Sequence, residues 1–184
     1  WGGNETWLVR GGGGLFAAFP KASAALMPAL YLPIFLMLLA LIFRGVAFEF
    51  RHHGRKTGKK WWTFAFSAGS ITAAAAQGLV LGGFIQGVNV VDGEFVGGPL
   101  DWLTPFSLLV AASLVAGYAL LGAGWIVFKT EGELFERARG WVKRLALLSA
   151  LGMGAVSLAT LSVDPRVTER WGLTMTSIDW PVFI

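Results

Sequence analysis

Four long runs of apolar and small residues, none containing a charged side chain, alternate along the chain with short polar segments. They are Ala22–Phe43, Thr63–Val91, Trp102–Phe128 and Leu145–Val163. Runs of about 20 such residues can cross the hydrocarbon core of a bilayer as helices. Trp1–Pro20, WGGNETWLVRGGGGLFAAFP, is a fifth and more polar segment, apolar enough to enter a membrane yet carrying Asn4, Glu5 and Arg10. The pattern predicts an all-α polytopic membrane protein with about five transmembrane helices. These form one transmembrane domain over 1–184, with spans near 4–20, 22–50, 61–88, 102–129 and 143–163 and an external tail at 164–184. Pro28 and Pro33 fall in the first half of the second span, and a kink is expected near Pro33.

Charge gives the spans a direction. Arg44–Lys60 holds Arg44, Arg51, Arg55, Lys56, Lys59 and Lys60, whereas Asn89–Asp101 holds three acids and neither Lys nor Arg. Lys and Arg collect in cytoplasmic loops, so the first segment faces in, the second faces out, and the N-terminus of the chain is cytoplasmic. Lys21 is the one external exception before the tail. Trp61 and Trp62 open the third span as headgroup-level anchors. Lys129–Arg144, where acids and bases alternate, reads as an interfacial helix along the cytoplasmic face, ahead of the fifth span.

Composition agrees with membrane residence: 55% of residues are hydrophobic and 14% charged, and the mean hydropathy is +0.62. A pI near 9.8 invites a nucleic-acid reading, but eleven of the fifteen basic residues lie in Arg44–Lys60 and Lys129–Arg144, at helix ends. Membrane lipid is their expected partner, and nucleic acid is not. The chain has no Cys, and its two histidines, His52 and His53, are neighbours in the basic loop. Neither a thiolate nor a clustered metal site can be built from that inventory. A bilayer haem would need an axial ligand on a helix, and no histidine falls in a predicted span. Gly11–Gly14 lacks the spacing and Lys of a phosphate loop. No catalytic, cofactor-binding or metal-binding residue is assigned. The chain opens on Trp1 with a motif already under way, and is read as a fragment of a longer protein.

Ionisable groups at bilayer depth are expensive and tend to face a bundle interior or a water-filled path. Asn4, Glu5, Trp7, Arg10 and Glu49 are therefore the candidates for a proton path or a subunit interface. Two readings of the first helix stand side by side. In one, Asn4 and Glu5 lie at the cytoplasmic interface and Arg10 alone is inside; in the other, all three form a polar cluster facing a partner helix. Glu49 lies five residues beyond Arg44 and two before Arg51, so neither pairing has the helical i, i+3 or i, i+4 spacing, and an ion-pair partner is expected from another helix. Gly78 and Gly82, and Gly83 and Gly87, make two G-x-x-x-G pairs and are the helix-packing candidates. Gln77 and Gln86 read as interhelical hydrogen-bond partners. Patterning alone leaves two functions open: a transporter or permease-like helical bundle with glycine-broken helices at its site, and a non-catalytic subunit of a larger membrane enzyme.

Five ordered motifs carry a resemblance. Trp1–Pro20, FRGVAFEFR at Phe43–Arg51, FIQGV at Phe84–Val88, DWLTPFSLL at Asp101–Leu109 and KTEGEL at Lys129–Leu134 resemble, in order, subunit II of cytochrome bd-type quinol oxidases. The external GGPLDW segment leans towards the cyanide-insensitive branch. The resemblance covers the chain to about Leu161 and implies about spans two to six of an eight-span subunit in the bacterial cytoplasmic membrane. It implies a complex that oxidises quinol and reduces dioxygen to water, in which a subunit I carries haems b, haem d and the quinol site. Subunit II is then a haem-free partner that stabilises the complex and contributes to proton uptake. Two departures stand out. Relatives carry Asp where this chain has Gly2, so a proton role at that position does not transfer, and Glu5 is the nearby substitute. Arg10 replaces a small or neutral residue and is expected to pair with an acid on a preceding helix.

Overall fold

The computed structural model describes residues 2–53, 56–91 and 94–163. Six helices and a two-stranded hairpin make up the described chain. They are α1 (Gly2–Ala18), α2 (Pro20–Ala29), α3 (Tyr31–His53), α4 (Lys56–Gln86), β1 (Val90–Val91), β2 (Glu94–Phe95), α5 (Pro105–Lys129) and α6 (Glu133–Val163). Four of the helices are long and apolar enough to cross a membrane: Tyr31–Arg51, Gly58–Gln86, Pro105–Lys129 and Glu133–Val163.

The architecture is an all-α polytopic membrane fold, with three departures from the sequence-based expectation. Helix α1, with 17 residues, four consecutive glycines and Arg10, is not among the four spanning candidates. The expected span over 22–50 is two helices: α2 ends at Ala29, Leu30 caps it through its N–H to the Leu26 carbonyl, and α3 starts at Tyr31. The break lies one turn before Pro33, because proline offers no N–H to the carbonyl four residues back and its ring crowds that carbonyl. Finally, no separate interfacial helix precedes the last span. Helix α6 runs unbroken for 31 residues, since nothing between Glu133 and Val163 is a proline and Glu133 and Glu136 complement the positive end of its dipole. The expected external tail at 164–184 lies outside the described residues.

Successive long helices pack as neighbours, α3 on α4, α4 on α5 and α5 on α6. Among the described residues no comparable contact joins α3 to α5, α4 to α6, or α3 to α6, so the four candidate spanning helices lie in a row. Burial follows from that arrangement. The inner helices α4 and α5 bury 33% and 28% of their most apolar windows, the outer α3 and α6 only 17% and 6%. Helix α4 alone separates the basic Lys59–Lys60 end from the hairpin end, about 40 Å apart at the rise of an α-helix. Gly87 ends α4 with φ at +80°, and Gly132, at +74°, turns the chain between α5 and α6.

Candidate functional site

The tightest seam runs between α4 and α5. A Cβ on Gly78 would meet the backbone of Ala111, and one on Gly82 would stand 2.8 Å from the Ser107 Cβ. Gly78 and Gly82 thus face Ser107 and Ala111, also four apart, and the two backbones approach closely over one turn of each helix. One residue on, Gly83 faces elsewhere: a Cβ there would lie 2.8 Å from the Leu30 Cδ2 and 3.2 Å from the Trp102 Cβ. Gly87 makes no such contact. Open space surrounds it, and its positive φ makes it the helix terminator rather than a packing partner of Gly83, which corrects the expectation for that residue.

Polar bonds lock the same seam at its hairpin end. Thr104 caps α5: its Oγ1 accepts from the Ser107 N–H at 3.1 Å, and the Ser107 Oγ accepts from the Thr104 N–H at 3.0 Å. The Thr104 hydroxyl donates to the Gln86 Oε1 at 2.6 Å, and the Ser107 hydroxyl to the Trp102 carbonyl, also at 2.6 Å. Pro105 at the first helical position needs no N–H partner. Thr-Pro-x-Ser is thus a helix start written in the sequence, yet the bond that ties it to Gln86 is a tertiary contact that no spacing rule gives. Lower on the seam, the Tyr118 hydroxyl donates to the Gln77 Oε1 at 3.0 Å.

Where α2 gives way to α3, a cavity of about 410 Å³ opens at this end. Ala29 and Leu30, the last turn of α4, Phe95 of the hairpin, and Asp101, Trp102 and Thr104 line it. Helix α2 packs against β2, so the hairpin covers the break.

At the opposite end of the row, Arg44 lies between α3 and α4. Its guanidinium sits 5.6 Å from the centroid of the Phe66 ring, and Gly69 leaves room for its Cβ. Stacking of Phe50 on Trp62, 5.2 Å between centroids, closes that end. Lys129 lies over Trp125 and Phe128 at 5.3 and 5.4 Å. These contacts place cations over aromatic faces at the ends of apolar helices, where both are expected.

The five polar candidates lie on two helices, α1 and α3. Asn4 and Glu5 lie on α1, with side chains outside the described residues. Trp7, 71% exposed, and the exposed Arg10 share that helix, whose principal contact is α2. Glu49 is exposed near the far end of α3, which packs on α4. Among the described residues no group of three or more His, Cys, Asp or Glu side chains could hold a metal ion. His52 and His53 follow the spanning part of α3, Tyr31–Arg51, so no candidate span carries an imidazole for an axial haem bond.

Residues 1–183 match the family model described as cytochrome bd terminal oxidase subunit II. The chain is 32% identical over 155 residues to cytochrome bd-I ubiquinol oxidase subunit 2 of Escherichia coli K12, covering 81% of this chain and 41% of that protein. It is 31% identical over 166 residues to cytochrome bd ubiquinol oxidase subunit 2 of Bacillus subtilis, with 88% and 46% covered. A probable cytochrome oxidase subunit 2 of Haemophilus influenzae is 32% identical over 145 residues, with 76% and 38% covered. The chain spans less than half the length of these relatives.

Proposed function

The chain belongs to the cytochrome bd terminal oxidase subunit II family, and from that membership we propose that it serves as the haem-free partner of a haem-bearing subunit I in a quinol oxidase of the bacterial cytoplasmic membrane. In that complex, electrons and protons leave quinol, dioxygen is reduced to water, and the haems b and d reside in subunit I. The family match over 1–183 carries this reading. The single pair of histidines, both beyond the spanning part of α3, supports the absence of haem from this chain. An open row of helices supports the role of partner: α6 and α3 bury so little of themselves that most of their apolar surface is left for lipid or protein.

Proton delivery is the second element of the proposal. Glu5 lies on α1 three residues after Gly2, on a helix that also bears Asn4 and Arg10, and an ionisable residue in a membrane bundle is a candidate for a proton route. Glu5 takes up protons from the cytoplasmic side in place of an acid at Gly2. In a Glu5→Gln complex, oxygen uptake driven by quinol falls at least tenfold, in line with loss of a proton-transfer group, while haem content stays constant. Unchanged turnover and proton uptake would remove Glu5 from the route. Loss of quinol-driven oxygen uptake from membranes lacking the chain, restored on its return, tests the oxidase assignment itself.

A further inference from the structure

We propose that the cavity at the hairpin end of the row binds an ammonium group, presented by the headgroup of a zwitterionic phospholipid or by a soluble amine. The inference is independent of the oxidase reading and rests on the chemistry of the walls.

The cavity, about 410 Å³, is framed by Gln86 and Asn89 at the end of α4, Phe95 of the hairpin, and Asp101 and Trp102 before α5. Three features share one sign. The last carbonyls of a helix lack intrahelical partners and carry the negative end of its dipole, and α4 brings 31 residues of aligned peptides to this wall. Asp101 contributes a carboxylate to the wall; its Oδ2 accepts from the Gly98 N–H at 2.7 Å, which fixes the group on its turn. Trp102 and Phe95 add aromatic side chains to the wall, and the Trp102 Nε1 donates to the Pro99 carbonyl at 2.8 Å, which holds the indole in place.

Among the described residues, none of those lining the cavity is basic, and the bases of α4, Lys56, Lys59 and Lys60, stand at the other end of that helix. From Trp61 to Phe128 the chain contains neither Lys nor Arg. On α2 the nearest is Lys21, about two helical turns before Ala29. Acceptors, a carboxylate and aromatic rings, with no base among the described residues of the lining, are the recognition set for a cation, and the rings favour an organic ammonium over a bare metal ion. An apolar floor of Ala29, Leu30 and Gly83 continues from this polar mouth towards the bilayer, so a phospholipid can seat its ammonium there while its acyl chains stay in the membrane.

The experiment uses the purified membrane complex, reconstituted with phosphatidylethanolamine or with phosphatidylglycerol of identical acyl chains, and counts retained lipids by native mass spectrometry. The account expects preferential retention of phosphatidylethanolamine. Asp101→Asn should lower the preference about fivefold, the ratio one ion or cation–π contact at a partly exposed site supports. Gln86→Glu, which keeps the acceptor for Thr104, should raise it. Millimolar ethanolamine should displace the phospholipid if the headgroup is the source. If ethanolamine binds while neither lipid is preferred, the source is a soluble amine. Equal retention of both lipids with no ethanolamine binding, or a preference unmoved by both substitutions, overturns the proposal.

Discussion

Gly78 lies so close to Ala111 that a Cβ on the glycine would stand 2.9 Å from the alanine nitrogen. Four residues along, Gly82 stands in the same relation to Ser107, so the α4–α5 seam is a run of two glycines against two small residues. Gly78→Val and Gly82→Val should each destabilise the protein by about 1–3 kcal/mol, the usual penalty for forcing carbon into a filled seam. In detergent, thermal unfolding midpoints should fall by several degrees. Gly117→Ala and Gly122→Ala, where nothing lies within 4 Å of the added carbon, should leave the midpoint unchanged or slightly higher. A seam that tolerates valine at both positions would mean that α4 and α5 do not meet there.

Gly87 tests a different property of glycine. Its φ of +80° belongs to a helix terminator, and its surroundings are open. Gly87→Ala should therefore cost about 1–2 kcal/mol through backbone conformation alone. Because volume is not limiting, Gly87→Asn should recover part of that loss, as Asn tolerates the left-handed region. Equal unfolding midpoints for the wild type and Gly87→Ala would contradict the assigned φ.

The cap of α5 gives a third expectation. Ser107 is fully buried and bonded to the Trp102 carbonyl as well as to Thr104. Ser107→Ala and Thr104→Val should each lower stability by about 1–2 kcal/mol. Amide hydrogen exchange should quicken first in residues 104–108, before any change in the rest of α5. Uniform exchange along α5 in both variants would show that the cap does not hold this end.

Much of this architecture is legible in the sequence, because the bilayer imposes long uncharged runs and those runs are visible without any fold. Gly78 and Gly82 announce a close approach through their spacing, though nothing in the sequence names Ser107 and Ala111 as what they meet. Three features escaped sequence reasoning for physical reasons. A kink is expected near Pro33, but not a full break into two helices at Leu30, where the missing N–H of the proline is felt at the carbonyl one turn back. Helix α6 runs through Arg144 because charge marks where a helix leaves the hydrocarbon but does not end it; α6 has Gly140 in its interior and no proline to stop it. Gly87 has the spacing of a packing residue and the conformation of a terminator, and only φ distinguishes them. Residue type and place along the chain mark the polar candidates but do not give their exposure: Trp7 and Arg10 are both exposed on α1.

Sidedness can be checked on the intact membrane. The chain has no cysteine, so single substitutions report position without background. Lys60→Cys, at the start of α4, and Val96→Cys, beyond the hairpin, sit at opposite ends of α4. With Lys60 cytoplasmic, as basic loop residues are, an impermeant maleimide added to intact spheroplasts should label Val96→Cys and spare Lys60→Cys. Labelling of both from one side would place the two ends of α4 on the same face of the bilayer and undo the topology.

The role of subunit is tested most directly by where the colour goes. A tagged chain purified in mild detergent should bring down a larger membrane protein and haem b and haem d absorbance. After the two polypeptides are separated without denaturing either, the absorbance should stay with the partner and leave this chain colourless. A reduced-minus-oxidised haem spectrum retained by the isolated chain, or a stable, colourless chain that never captures a haem protein, would contradict the account.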